Sequence, residues 1–362
     1  MNATKFKLLI PETRNELNEI MGITILKNLG FIVPETFEVN VSVIKKDSKH
    51  KMIFQEDSQK ELLERNFRRE GPILEGDEAL LWQSEKGKES GFKKDYERLS
   101  LSRLVNYKWF LKGVSSQEIT LSALSKLQNA YLDYAYQLDS KFTLTANNFK
   151  NKIFDDYNFI LLSMNGIHGL RPHNRKFYFN SFINQFEPIY YDGDLELDEK
   201  FQYASIVKNY RFQNDYKFPY FKSINNKKFI NNLKKQFKSR VLNFNYKTDK
   251  FFNQSYENFI NNTYIVQRKI NETNHLKYPE LKNNKAREFF LKRNSILNGE
   301  KNIISDYVIN NKKVYLKLEN ETKNETNLYS LGRILSRKEI EGKKYLFLPK
   351  KKLLKSKENL IK

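Results

Sequence analysis

The sequence predicts a mixed α+β fold, and three observations carry that expectation. Apolar residues recur at steps of three and four along several long stretches, as on one face of a helix. Elsewhere they alternate at a step of two between polar turns, as in half-buried strands. The 39% of hydrophobic residues, with 28 Phe and 21 Tyr, suffice in 362 residues for one large domain plus an appendage, or two modest domains.

Residues 12–30 (ETRNELNEIMGITILKNLG) place Leu17, Ile20, Ile23, Leu26 and Leu29 on one helical face, and Gly30 suits the position just past the helix end. FEVNVSVIKK then alternates Val39, Val41 and Val43, a strand; a polar turn at Asp47–His50 leads into KMIFQED and completes a hairpin. Ser58 followed by Glu61 predicts a capping box for a helix through SQKELLERNF. Residues 70–97, polar and glycine-containing, read as a mobile insert. Two long helices follow near 115–138 and 147–164, the first with Leu124, Leu127, Tyr131, Tyr134 and Leu138 on one side. A loop over 165–174 enters a second hairpin, RKFYFN and EPIYYD, then the acidic LELDE. Residues 200–275 are helical and lysine-rich, and after Asn302 short β segments (VYLKL, YLFLP) take over.

The composition excludes several chemistries. There is no cysteine, hence no disulfide, no cysteine-ligated zinc and no thiol nucleophile. Of four histidines, His168 and His173 share one loop, which argues against a separate histidine-rich metal site. No run approaches the roughly 18 apolar residues of a membrane span, and Pro11 with nearby acidic residues interrupts any signal-peptide pattern. A cytoplasmic protein is the expectation.

The net charge of +21 is unevenly placed: residues 1–200 carry 28 Lys+Arg against 29 Asp+Glu, and residues 201–362 carry 36 against 14. The second part either presents a lysine-rich solvated surface or attracts polyanions in a salt-dependent way.

The chemistry concentrates in HGLRPHNRKFYFNSFINQFEPIYYDGD, residues 168–194. A tight loop with Gly169 and Pro172 presents Asn174, and the hairpin then delivers Asp192, with Asp194 close by. A carboxylate and an amide oxygen brought together from the two ends of a hairpin are hard ligands that suit magnesium against nucleotide phosphates. The same residue types also serve as ordinary turn formers.

Leu170-Arg171-Pro172-His173-Asn174 resembles the second half of a protein-kinase catalytic loop, and Asp192-Gly193-Asp194 stands where the kinase metal-binding Asp-Phe-Gly falls. The pattern is closest to the CotH (spore coat protein H) kinase family, whose short loop ending in Asn is followed by a hairpin and an aromatic-Asp-x-Asp like Tyr191–Asp194. Upstream, KFKLLIPETRNELNEIMGITILKNLGFIVPETFEVNVSV and KMIFQEDSQKELLERN are similar to the family's strand, helix, strand and Glu-terminated strand. The resemblance covers about residues 5–70 and 145–200.

It implies a two-lobe kinase-like fold: a reduced or truncated N-lobe over 1–70, a mainly helical C-lobe over 71–275, and a basic β-rich appendage over 276–362. Asn174 and Asp192 would be metal ligands, Asp194 an auxiliary one, and Gln55, Glu56 and Asp57 a hinge over which adenine packs. Glu19, or Glu16 one turn earlier, would pair with the phosphate-binding lysine; a solvated helix face is the alternative. Lys5 and Lys7 are the only early lysines. Arg171 and Arg175 could neutralise phosphate. The kinase catalytic Asp falls at Gly169, so His168 would be the base, or else a structural histidine. The implied function is ATP- and magnesium-dependent transfer of phosphate, or of another part of the nucleotide as in adenylylation, to a protein or glycan. A catalytically silent pseudokinase, acting as a scaffold through its basic half, is the rival.

Overall fold

A computed structural model describes residues 3–43, 46–77, 101–135, 152–207, 210, 212 and 215–273, and the backbone of strands within 302–355. The chain forms two compact units: Met1–Glu75, Val105–Thr120 and Leu144–Lys277 make one, and Gly76–Leu104, Leu121–Thr143 and Tyr278–Lys362 the other.

In the first unit, β1 (Phe6–Leu9) is followed by a 3-10 turn (Pro11–Arg14) and α1 (Leu17–Asn28). Gly30 ends the helix with φ +87°, a left-handed conformation that only glycine adopts freely. The strands β2 (Thr36–Val43) and β3 (Lys46–Glu56) pair antiparallel, with β1 on the other edge of β3. Alternation sorts the faces: Thr36, Glu38, Ile53 and Gln55 point one way and are buried, while Phe6 and Phe37 stack on Phe54 at 4.9 and 4.8 Å.

The sequence places a turn at Asp47–His50, but there the ladder continues, with His50 opposite Val41 and Lys49 opposite Ser42. Backbone pairing outweighs polar composition at this end of the ribbon. Helix α2 (Lys60–Arg65) lacks the expected capping box. Asp57 accepts from the Ser58 N–H at 2.9 Å, and Glu61 accepts from the Thr4 hydroxyl at 3.0 Å, so the Glu61 carboxylate and the N–H it would cap both have other partners.

Within the stretch expected as an insert, β4 (Ile73–Asp77) is a buried strand; residues 78–100 lie outside the described ones. Its first residues pair with β6 (Lys176–Asn180), which forms a hairpin with β7 (Gln185–Ile189) in the register Lys176↔Ile189. The Tyr190 N–H then bonds the Ile32 carbonyl at 2.9 Å, tying the hairpin to the chain leaving α1.

The core of this unit surrounds α1. Ile20, Met21, Ile23, Ile25 and Leu26 are all fully buried, so the helix is enclosed on every side rather than along one stripe. Gly22 permits this: a Cβ there would lie 2.0 Å from Leu195 Cδ1. α7 (Lys227–Lys238) packs against α1, and α8 (Tyr246–Thr273) packs against α5 (Lys152–Ser163), adding Phe252, Tyr256, Phe259, Val266 and Ile270 at helical spacing to the same core cluster. Short helices α3 (Tyr107–Phe110) and α6 (Phe221–Ile224) complete the unit.

In the second unit, the Ser102 N–H on β5 (Leu101–Leu104) bonds the Gln128 side chain of α4 (Val114–Ala135) at 2.9 Å. Ala123, Leu124, Leu127 and Tyr131 line the buried face of α4 as its spacing predicts. The Tyr134 side chain and Leu138 lie outside the described residues. The C-terminal β segments form an antiparallel sheet of β8 (Asn302–Asn310), β9 (Lys313–Asn320), β10 (Glu325–Arg333), β11 (Lys344–Phe347) and β12 (Lys352–Lys355), in the order β10-β9-β8-β11-β12. The fold class is α+β. Among the described residues, no helix is long and apolar enough to cross a membrane.

Candidate functional site

Two irregular segments meet beside α1. One is the turn from β1 into the helix, the other the stretch leaving β7. The Arg14 guanidinium forms an ion pair with the Asp192 carboxylate, and Asn15 Nδ2 donates to Asp194 Oδ1 at 2.8 Å and to the Leu195 carbonyl at 3.2 Å. Asn15, Glu16, Asp192 and Asp194 all have positive φ, between 43° and 50°. Asn and Asp tolerate that region, whereas a Glu there carries strain on the order of 1–3 kcal/mol. The two turns face each other and hold one another in place.

Behind them lies Glu19, with no exposed surface. It accepts from the Tyr190 hydroxyl and from Gln55 Nε2 at 3.0 Å. Burial pushes its carboxyl up to about 7, against the opposing pull of those two hydrogen bonds and of the Arg14 charge. Burial also raises the Tyr190 hydroxyl well above its usual value, and the adjacent carboxylate adds to that. Among the described residues, the cation whose charge acts on Glu19 is Arg14. Glu16 is exposed and stands in the turn just before α1.

The loop expected to carry the chemistry consists of two 3-10 turns, His168–Leu170 and Pro172–Asn174. Asn174 is buried and its Nδ2 donates to the His168 carbonyl at 3.1 Å, which leaves the amide oxygen as its acceptor. His168 Nε2 lies 3.8 Å from Asp192 Oδ2. Arg175 is buried and its Nε donates to the Leu170 carbonyl at 3.0 Å, so it braces the loop, while Arg171 is exposed. A Cβ on Gly169 would sit 3.1 Å from Gly193 Cα. Gly169 is therefore packed against the Asp-Gly-Asp backbone.

The three hinge candidates diverge, because alternate residues of β3 face opposite ways. Gln55 reaches Glu19, and Glu56 pairs with Arg65 at 2.7 Å and with the Glu35 N–H at 3.1 Å. The Glu56 and Asp57 N–H groups bond the Glu35 and Lys5 carbonyls, both at 2.9 Å. Around Tyr191, next to Asp192, cations converge: Lys7 Nζ lies 5.2 Å and Lys176 Nζ 3.9 Å from the ring centroid. Lys176 also pairs with Glu75 at 3.4 Å.

Asp192, Asp194, His168, Asn174 and Glu19 are thus gathered at one end of the β6–β7 hairpin, while Glu56 and Arg175 serve the frame. Sequence reasoning assigned no role to Arg14, Lys176 and Tyr190; the signal for Arg14 was its place at the end of the KFKLLIPETR segment that carries the resemblance. As a magnesium site, Asp192, Asp194 and Asn174 supply the right hard oxygens. Among the described residues no three His, Cys, Asp or Glu side chains gather closely enough to hold a metal, so a cation there would rely on the Asn174 amide and on phosphate oxygens. In comparison with known proteins, the chain matches no family model and no curated protein.

Proposed function

We propose that this chain is a CotH-like atypical kinase with a two-lobe arrangement, transferring phosphate or another part of ATP to a protein or glycan. The observation that carries this is that Asp192, at the end of the hairpin that Asn174 opens, is paired with Arg14 and lies 3.8 Å from His168, the residue whose carbonyl Asn174 bonds, while Tyr190 next to it holds Glu19. Asp192 and Asn174, with Asp194 as auxiliary, would hold magnesium, which supplies charge neutralisation on the phosphates. Lys7, on the strand that runs into α1, reaches over Tyr191 and would bind a phosphate oxygen. Tyr190 and Gln55 clamp Glu19, which orients α1 and hence Arg14. His168 would accept the acceptor's proton at Nε2 once free of Asp192.

The packing of Gly169 on Gly193 favours a second reading, a silent pseudokinase, because no carboxylate base fits there without displacing the backbone. One set of assays separates them. Under the kinase reading, ATP with magnesium stabilises the protein by about 2.7 kcal/mol at 100 times the dissociation constant. Asp192→Asn should weaken that effect and abolish transfer. His168→Ala should keep binding and slow transfer roughly 100- to 10,000-fold if it is the base. Absence of any thermal shift with every nucleotide and metal sinks the nucleotide reading; binding without transfer by the wild type establishes the pseudokinase.

A further inference from the structure

We infer that Arg14 is the resident counter-ion of this site: without ligand it occupies Asp192 in place of a divalent cation, and with ligand its guanidinium moves to a phosphate oxygen. The inference rests on the nucleotide reading above and adds a residue and an order of events to it.

Three observations lead here. Arg14 sits between two carboxylates, paired directly with Asp192 and close enough to Glu19 for its charge to act there. The turn around it is held, by the Thr13 N–H to the Ile10 carbonyl and the Glu16 N–H to the Pro11 carbonyl, both at 3.0 Å, and by the Asn15 side chain to Asp194 and Leu195, so a rearrangement falls to the Arg14 side chain rather than to the turn. And Arg14 Nε is buried with no acceptor among the described residues. A buried guanidinium donor left unpaired is costly, and such an atom calls for an explanation. A phosphate oxygen arriving beside Asp192 would complete the fork, because guanidinium geometry matches phosphate in a two-point fashion.

The order of events follows from charge. Arg14 stays protonated at any working pH, so it competes with a divalent cation for the charge of Asp192. Metal alone displaces Arg14 with no new partner to receive it, whereas metal arriving with phosphate provides one. Nucleotide and metal should therefore promote each other's binding partly through Arg14, a reciprocal coupling.

The test titrates Mn2+ by electron paramagnetic resonance, first alone and then with a non-hydrolysable ATP analogue, on wild type, Arg14→Gln and Arg14→Lys. Arg14→Gln should bind Mn2+ alone about 10-fold more tightly, and the analogue with Mn2+ about 10-fold more weakly, as for one charged hydrogen bond. Arg14→Lys keeps the charge but not the fork, so its Mn2+ affinity should match wild type while the analogue binds more weakly. Unchanged Mn2+ affinity in Arg14→Gln overturns the inference. If the analogue binds none of the proteins, the kinase reading fails, and the Mn2+ arm still decides whether Arg14 guards Asp192. Should Arg14→Gln not fold, the wild-type Nε–H resonance, identified by its loss in Arg14→Lys, must shift when magnesium and analogue are added together. A resonance that stays put refutes the proposal.

Discussion

Replacing Glu19 by Gln tests the electrostatics of the buried helix α1. The wild-type carboxyl is raised from 4.5 to about 7 because burial penalises its charged form. A carboxyl that holds its proton more tightly when folded makes the folded state lose stability as pH rises between those two values. Each pH unit in that window costs about 1.4 kcal/mol, so the whole span amounts to roughly 3 kcal/mol. Gln keeps the size and can still bond Tyr190 and Gln55, whose own amide can turn to match, but it never ionises. The stability difference between Glu19→Gln and wild type should therefore be flat below about pH 4.5, rise in favour of the variant toward pH 7, and level off above. Calorimetry of both proteins from pH 4 to 9 reads this difference, with the other titrating groups largely cancelling. For a unit of this size the change should appear as a relative gain of roughly 6–12 °C in melting temperature. A difference that stays constant with pH, or that runs the other way, would refute the argument that Glu19 is buried and that its charge is disfavoured.

Gly169→Ala pushes a Cβ onto Gly193 and Leu161 and should cost about 1–3 kcal/mol; an unaltered melting temperature would mean the two loops are not in contact. Glu16→Gly relieves an exposed residue at φ 50° and ψ −115° and should stabilise by about 1 kcal/mol, checked by the same calorimetry, with destabilisation as the contrary result. If the lysines of α7, among them Lys227, Lys228, Lys235 and Lys238, belong to a polyanion-binding face, affinity for heparin or RNA should fall steeply with salt. A salt-independent or undetectable interaction would leave them as a solvated surface.

What the sequence determined by itself is local. The helix at 17–28, its glycine stop, the strand at 36–43 and the hairpin carrying Asn174 and Asp192 toward one end are legible because apolar periodicity and turn chemistry act over a few residues. The strand at 73–77 was hidden in a polar, glycine-bearing stretch, and became a strand by pairing on both edges, with Ile73 opposite Tyr178 and Leu74 opposite Phe177 on one of them. The capping box at Ser58 failed because partners from elsewhere, Thr4 above all, outbid it. The tertiary structure alone decided the chemistry of Glu19. A helix with apolar residues on one stripe reads as half-solvated, but α1 is enclosed all round, and enclosure raises a carboxyl. It alone also brought Arg14 onto Asp192, 178 residues away, since charge pairing across that separation leaves no periodic trace in the chain.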